Sequence, residues 1–182
     1  MSTHITYFVH GTTVDNEVGV SSGWFDSPLS ELGVKQSIDL AYQTQDRDFD
    51  VVFCSDLARA HDTAKFAFGG RFKVLVDPRL RECNYGVYNG QLASIVEPQC
   101  EHEHIMKQFP GGESMEDVKA RIEDFLNFLR KSYHGKNVAI VGHKIPQLSL
   151  EILLNGKTWP QAFNEDWRKT KSWQPGWEYQ MD

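Results

Sequence analysis

The feature that most limits what this chain can fold into is a series of short apolar runs, each stopped abruptly by a residue that can carry chemistry. Ile5-Thr6-Tyr7-Phe8-Val9 runs into His10-Gly11, and Val51-Val52-Phe53-Cys54 into Ser55. Lys73-Val74-Leu75-Val76 runs into Asp77-Pro78, and Asn137-Val138-Ala139-Ile140-Val141 into Gly142-His143. Continuous apolar runs without alternation are the pattern of strands covered on both faces, as in a parallel sheet. Between them lie stretches with helical spacing. One runs from Ser30-Glu31-Leu32-Gly33 to about Gln45, with Val34, Ile38 and Ala41 or Tyr42 on one face. Another covers about Asp56 to Phe68 with Ser55 as its N-cap. A third starts at Glu113 or Ser114 and carries Met115, Val118, Ile122, Phe125, Leu126 and Leu129 as an apolar stripe, with charges opposite. A fourth spans Pro146 to Leu154, and the Trp-rich tail adds a short helix and a last strand near Trp177-Glu178-Tyr179. Trp159, Trp167, Trp173 and Trp177 are expected to be packing surface.

Alternating strands and helices predict an α/β fold: a three-layer sandwich with a mostly parallel central sheet and helices on both faces. Residues 1–182 fit a single domain. A net charge of −6 argues against nonspecific nucleic-acid or anionic-membrane binding, both of which need dense Lys and Arg. No apolar run reaches membrane-spanning length, and the first strand starts too early to leave room for a signal peptide. Cys54, Cys83 and Cys100 have no metal or disulfide spacing, which fits a reducing compartment, with the cytoplasm as the expectation.

In open parallel sheets ligands bind beyond the carboxyl ends of the strands. His10, Ser55 with Arg59, Glu82 and His143 each fall just past the end of a different expected strand. Gly11 could let the backbone turn and aim several N–H groups at an anion. Arg59, in the first turn of its helix, opposes the helix dipole unless an anion sits between them. Two histidines, an arginine and a glutamate, without a serine elbow, a Walker loop or metal-ligand spacing, suggest phosphoryl transfer through a histidine nucleophile. Glu101-His102-Glu103-His104 alternates acid and imidazole, but a charged loop is the expectation there rather than a metal site. No cofactor or metal is expected.

These residues resemble the histidine phosphatase superfamily, whose fold is shared with cofactor-dependent phosphoglycerate mutase. The resemblance runs through His10-Gly11, Asn16, Ser30-Glu31-Leu32-Gly33 with Gln36, Ser55-Asp56-Leu57-Ala58-Arg59-Ala60 with Thr63-Ala64, Leu80, Glu82, Tyr85-Gly86, Gly90, Pro110-Gly111-Gly112-Glu113-Ser114 and Gly142-His143. It implies that His10 is the phosphorylated nucleophile, Arg59 and His143 hold phosphate, and Glu82 is the proton donor. The expected substrate-binding set is Gly11, Thr12, Asn16, Gly23 and Lys144, around a small phosphorylated metabolite. The chain departs from the family motif at Val9, where an arginine is usual, and at Thr12, where a glutamate is usual. Lys144 is a candidate for part of the missing charge, with a solvated lysine as the alternative. Chain length and the short segment from Gly90 to Pro110 favour a compact phosphatase over a mutase. A weakened phosphate-binding or scaffolding protein on the same fold, and more distantly a metal hydrolase, are the alternatives.

Overall fold

A computed structural model describes residues 2–172 and 174–182; Trp173, one of the expected packing tryptophans, lies outside the described residues. In chain order the elements are β1 (Thr3–Val9), α1 (Val14–Glu17), β2 (Val20–Ser21), α2 (Glu31–Gln43), β3 (Val51–Cys54), α3 (Ala58–Phe68) and β4 (Val74–Val76). There follow β5 (Gln91–Leu92), α4 (Ala93–His102), α5 (Met115–Ser132), β6 (Asn137–Gly142), α6 (Lys144–Leu153), α7 (Trp159–Asn164), α8 (Trp167–Thr170) and β7 (Trp177–Met181).

The main sheet has the order β4-β3-β6-β1-β7. All its neighbours are parallel except β7, which pairs antiparallel with β1. Because successive strand residues face opposite ways, the apolar runs feed two cores. Ile5, Tyr7, Val51, Phe53, Val138 and Ile140 meet α5 and α6 on one face. Phe8, Val52, Cys54, Ala139 and Val141 meet Leu40 of α2 and Ala60, Ala64 and Phe68 of α3 on the other. The expected layers are therefore present. The stripe on α5 is buried as expected, and Ser114 caps it in a capping box with Asp117. The three cysteines are buried and unpaired.

Two expectations need correction. The inward face of α2 is Gly33, Ser37 and Leu40, while Ile38 and Tyr42 are exposed. A close backbone approach decides this, because Gly33 sits against the loop that follows β1. The cap of α3 is not Ser55, whose Oγ instead accepts from Leu57 N. The helix starts at Ala58, and its N–H donates to Asp26 Oδ1 at 2.8 Å, a carboxylate from a loop far away in sequence. The segment after Gly90, which shows no readable period, contains β5 and α4, and β5 pairs with β2 inside the long first loop.

Gly33 is the point where α2 and the loop after β1 interlock. A Cβ there would lie on the Thr12 carbonyl oxygen, and one on Gly11 would come within 2.5 Å of the Gly33 carbonyl oxygen. Gly33→Ala should therefore lower unfolding free energy by about 1–3 kcal/mol through overpacking. Urea denaturation measures this.

Candidate active site

β1 and β6 run parallel with Val9 opposite Gly142, so both strands end at the same height. His10 and His143 follow those ends, with ring centroids 5.0 Å apart and planes inclined at 59°. Tyr7 holds this arrangement from below. Its hydroxyl accepts from His143 N at 2.7 Å and donates to His143 O at 2.8 Å. Gly142 leaves room for that ring, since a Cβ there would collide with the Tyr7 hydroxyl.

His10 Nδ1 lies 2.7 Å from the carbonyl oxygen of Gly11. A carbonyl only accepts, so Nδ1 carries the hydrogen and Nε2 keeps its lone pair. Burial and the Arg59 charge push the His10 pKa down to about 3, so the ring is neutral at ordinary pH. His143 is fully buried, and both its ring nitrogens lack a hydrogen-bond partner among the described residues. Burial, then Arg59 and His10, hold its pKa well below the usual imidazole value. Two uncharged imidazoles thus lie side by side; His10 lines the cavity described below, while fully buried His143 is absent from its lining.

Arg59 is buried on α3, with Nη2 donating to Gly23 O at 2.7 Å and Nη1 to Phe25 O at 3.1 Å. Burial disfavours its charge and Glu82 supports it. Gly23 adopts φ +56°, and a Cβ there would strike Asn89 Oδ1, so only glycine suits this carbonyl's position. Glu82 is buried as well. Its Oε1 accepts from Cys83 N at 2.8 Å and Ile145 N at 3.2 Å, and its Oε2 accepts from Lys144 N at 3.1 Å. Its carboxylate therefore occupies the N-terminus of α6, where unpaired N–H groups and the helix dipole favour negative charge.

His10, Thr12, Asn16, Gly23, Arg59, Glu82 and Lys144 line one cavity of about 370 Å³, with Val9 and Arg168. Gly11 does not act as expected. Its N–H donates to Thr63 Oγ1, that of Thr12 to Gln36 Oε1, and that of Thr13 to Asn16 Oδ1, so these backbone groups are spent inside the protein. Gly11 serves instead as a close-packing residue whose carbonyl fixes the His10 tautomer. Lys144 reaches the cavity wall, and its Nζ lies 3.4 Å from Glu97 and 3.6 Å from Asp166. It is neither free nor solvated.

Three residues escaped sequence reasoning. Arg121, on the polar side of α5, donates to the carbonyls of Arg79, Arg81 and Glu82 and pairs with Glu113, which fixes the loop carrying Glu82. Trp24 Nε1 donates to the same Glu82 carbonyl at 2.7 Å. Arg168, in the Trp-rich tail, lines the cavity and bonds Asp166 at 2.9 Å. Trp167 and Trp177, expected as packing surface, stack 5.9 Å apart and wall a neighbouring cavity of about 380 Å³ against His10 and α2. Its lining includes no lysine or arginine, so the cavity with Arg59 and Glu82 is the one suited to an anion. The Glu101–His104 run disperses: Glu101 pairs with Lys169, and buried His104 stacks on Phe109 with centroids 3.8 Å apart. Among the described residues no helix is long and apolar enough to cross a membrane.

The depressed histidines make stability depend on acid. The unfolded chain takes up a proton near pH 6.5 on each histidine, whereas the folded chain resists until about 3 at His10 and lower than usual at His143. The unfolded state then binds more protons, so stability falls as pH drops below about 6.5, at up to ~1.4 kcal/mol per pH unit for each histidine. Urea titrations between pH 7 and 4.5 should show this decline, and His143→Gln should make it shallower by about one proton.

Known proteins resemble this one closely. A family model described as histidine phosphatase superfamily (branch 1) matches residues 7–175. Phosphoserine phosphatase 1 of Hydrogenobacter thermophilus is 31% identical over 156 residues, covering 81% of this chain and 74% of its own. "Probable phosphoglycerate mutase GpmB" of Yersinia pestis is 31% identical over 144 residues, covering 74% of this chain but only 66% of its own. The mycobacterial glucosyl-3-phosphoglycerate phosphatase Rv2419c, solved with VO3, superposes with a TM-score of 0.77 at 28% identity, covering 87% of this chain and 85% of that one.

Proposed function

The chain belongs to the histidine phosphatase superfamily, and on that premise we propose that it hydrolyses a small phosphate monoester through a phosphohistidine at His10. The observation that carries this is the pinned tautomer of His10, with Nε2 free beside the unpartnered ring of His143. In the first half-reaction Nε2 attacks phosphorus in line with the ester oxygen. The N–P bond forms as the P–O bond breaks, and Gly11 O keeps the rising positive charge on the ring stabilised through Nδ1–H. Arg59 and His143 hold the equatorial oxygens, where charge is greatest in the transition state.

In this step Glu82 gives a proton to the leaving oxygen. Its Oε2 accepts one backbone bond against two at Oε1, so Oε2 is the oxygen with room for that proton. In the second half-reaction the same carboxylate takes a proton from water as the water attacks phosphorus. The N–P bond breaks, and inorganic phosphate leaves. The relatives named as acting on phosphoserine and glucosyl-3-phosphoglycerate support a small metabolite ester as the substrate. No step needs a metal.

The test is hydrolysis of an aryl phosphate in EDTA. Native protein should turn over and His10→Ala should not, while Glu82→Gln should lower kcat by about 10²–10⁴. Turnover that survives in His10→Ala, or that EDTA abolishes, would refute the proposal. Val9 supplies no charge where the family motif has arginine, and one missing oxyanion donor costs about 10²–10³ in rate. A silent native protein that gains activity on Val9→Arg would identify a disabled enzyme, and continued silence would favour a binding protein on this fold or a demanding substrate.

A further inference from the structure

Three cations surround the cavity that contains His10: Arg59 from α3, Lys144 from the first turn of α6, and Arg168 from α8. The last two share an anchor. The Asp166 side chain is 1% exposed, with Oδ1 accepting from Arg168 Nη1 at 2.9 Å and Oδ2 lying 3.6 Å from Lys144 Nζ. That second oxygen has no hydrogen-bond partner among the described residues. A buried carboxylate is tolerated where cations face it. Here, conversely, one fixed negative charge holds two long side chains in a single arrangement. Asp166 Oδ1 also accepts from Arg168 N at 3.1 Å, so the backbone and guanidinium of Arg168 hang on the same oxygen.

This anchor does not use up the guanidinium. Its face lies over the Trp167 ring at 4.5 Å, and among the described residues only Nη1 has an acceptor. Arg168 joins Arg59 in disfavouring the protonated form of both imidazoles, which puts its charge near the reacting space. Lys144 is divided between Asp166 and Glu97, and Val9 offers only an apolar side chain. Among the described residues Arg168 is therefore the cation besides Arg59 with the most donors to spare, since only one of its five side-chain N–H groups has an acceptor.

We propose that Arg168 is a substrate-binding residue, gripping the phosphoryl oxygens with the part of its fork that Asp166 leaves free, and that Asp166 is its positioning residue. This rests on the phosphate-pocket assignment of the same cavity. Charge-assisted bonds from a planar guanidinium suit a phosphoryl group better than a point charge does. The C-terminal segment then completes a pocket that β1, by ending in valine, leaves short of positive charge.

The test is calorimetric binding of inorganic phosphate to the full chain, which needs no turnover. Arg168→Ala should weaken binding about ten- to hundredfold, as expected for loss of a charged hydrogen bond. Arg168→Lys should recover part of that. Lys169→Ala, which removes the next cation on the same helix, paired with Glu101 at 2.8 Å, should change nothing. Asp166→Asn should weaken binding in the native background and have less than about a twofold further effect in Arg168→Ala, because a positioning residue acts only through its partner. Far-UV circular dichroism checks that each variant is folded. Native affinity in folded Arg168→Ala would overturn the proposal while leaving the pocket assignment intact. Equal weakening by Asp166→Asn in both backgrounds would overturn the role of Asp166. Failure of the native chain to bind millimolar phosphate would overturn both the pocket and this proposal.

Discussion

The site depends on the pairing of β1 with β6. Two parallel strands in fixed register must end together if the residues after them are to meet, and Val9 opposite Gly142 is that register. His10 N continues the ladder by donating to Gly142 O at 3.1 Å. A slip of one residue would turn every side chain to the other face, breaking both cores and separating the imidazoles. Tyr7 adds a second constraint. Bonded to both the N–H and the carbonyl of His143, its hydroxyl fixes the backbone where the strand gives way to α6.

Charge around this pair is arranged differently from what the helix positions suggest. The N-termini of α3 and α6 both point toward the rim, and such ends bind anions readily. Each is already occupied by a carboxylate of the protein, Asp26 at Ala58 N and Glu82 at Lys144 N and Ile145 N. The backbone N–H groups of Gly11, Thr12 and Thr13 are spent as well. A bound phosphoryl group must therefore rely on side chains. The proposed function assigns that task to buried Arg59, held by two loop carbonyls, and to His143, whose ring nitrogens have no partner among the described residues.

The parts of this legible in the sequence were those set by local pattern. Apolar runs marked the strands because burial on both faces leaves no alternation, and the α5 stripe marked its core face because helical period and burial agree there. The residues at the strand ends followed from the sheet rule alone. What stayed hidden depends on contacts between distant segments. The inward face of α2 is made of Gly33 and Ser37, chosen for closeness to the β1 loop rather than for apolarity, so hydropathy pointed to the wrong side. Asp26 caps α3 from 32 residues away, and no local signal links them. Arg121 looked like one more charge on a polar face, yet it fastens three carbonyls of the Glu82 loop. Arg168 sits in a tail with no period at all.

The acidic chain and its anion pocket are compatible for a geometric reason. The net charge of −6 opposes an incoming phosphate at long range, but solvent screening removes most of that beyond about 8–10 Å at moderate salt. Within the cavity the order of charges matters more than their sum. Arg59 lies in the cavity wall with carbonyls behind it, and the buried Asp166 is absent from the lining that Lys144 and Arg168 present. Glu82 and Glu97 line the cavity beside Arg59 and Lys144, whereas Asp166 stands outside the lining, so Arg168 is the cation whose counter-ion lies behind it. The two imidazoles contribute as neutral donors or acceptors and add no charge that would have to be neutralised when the site is empty.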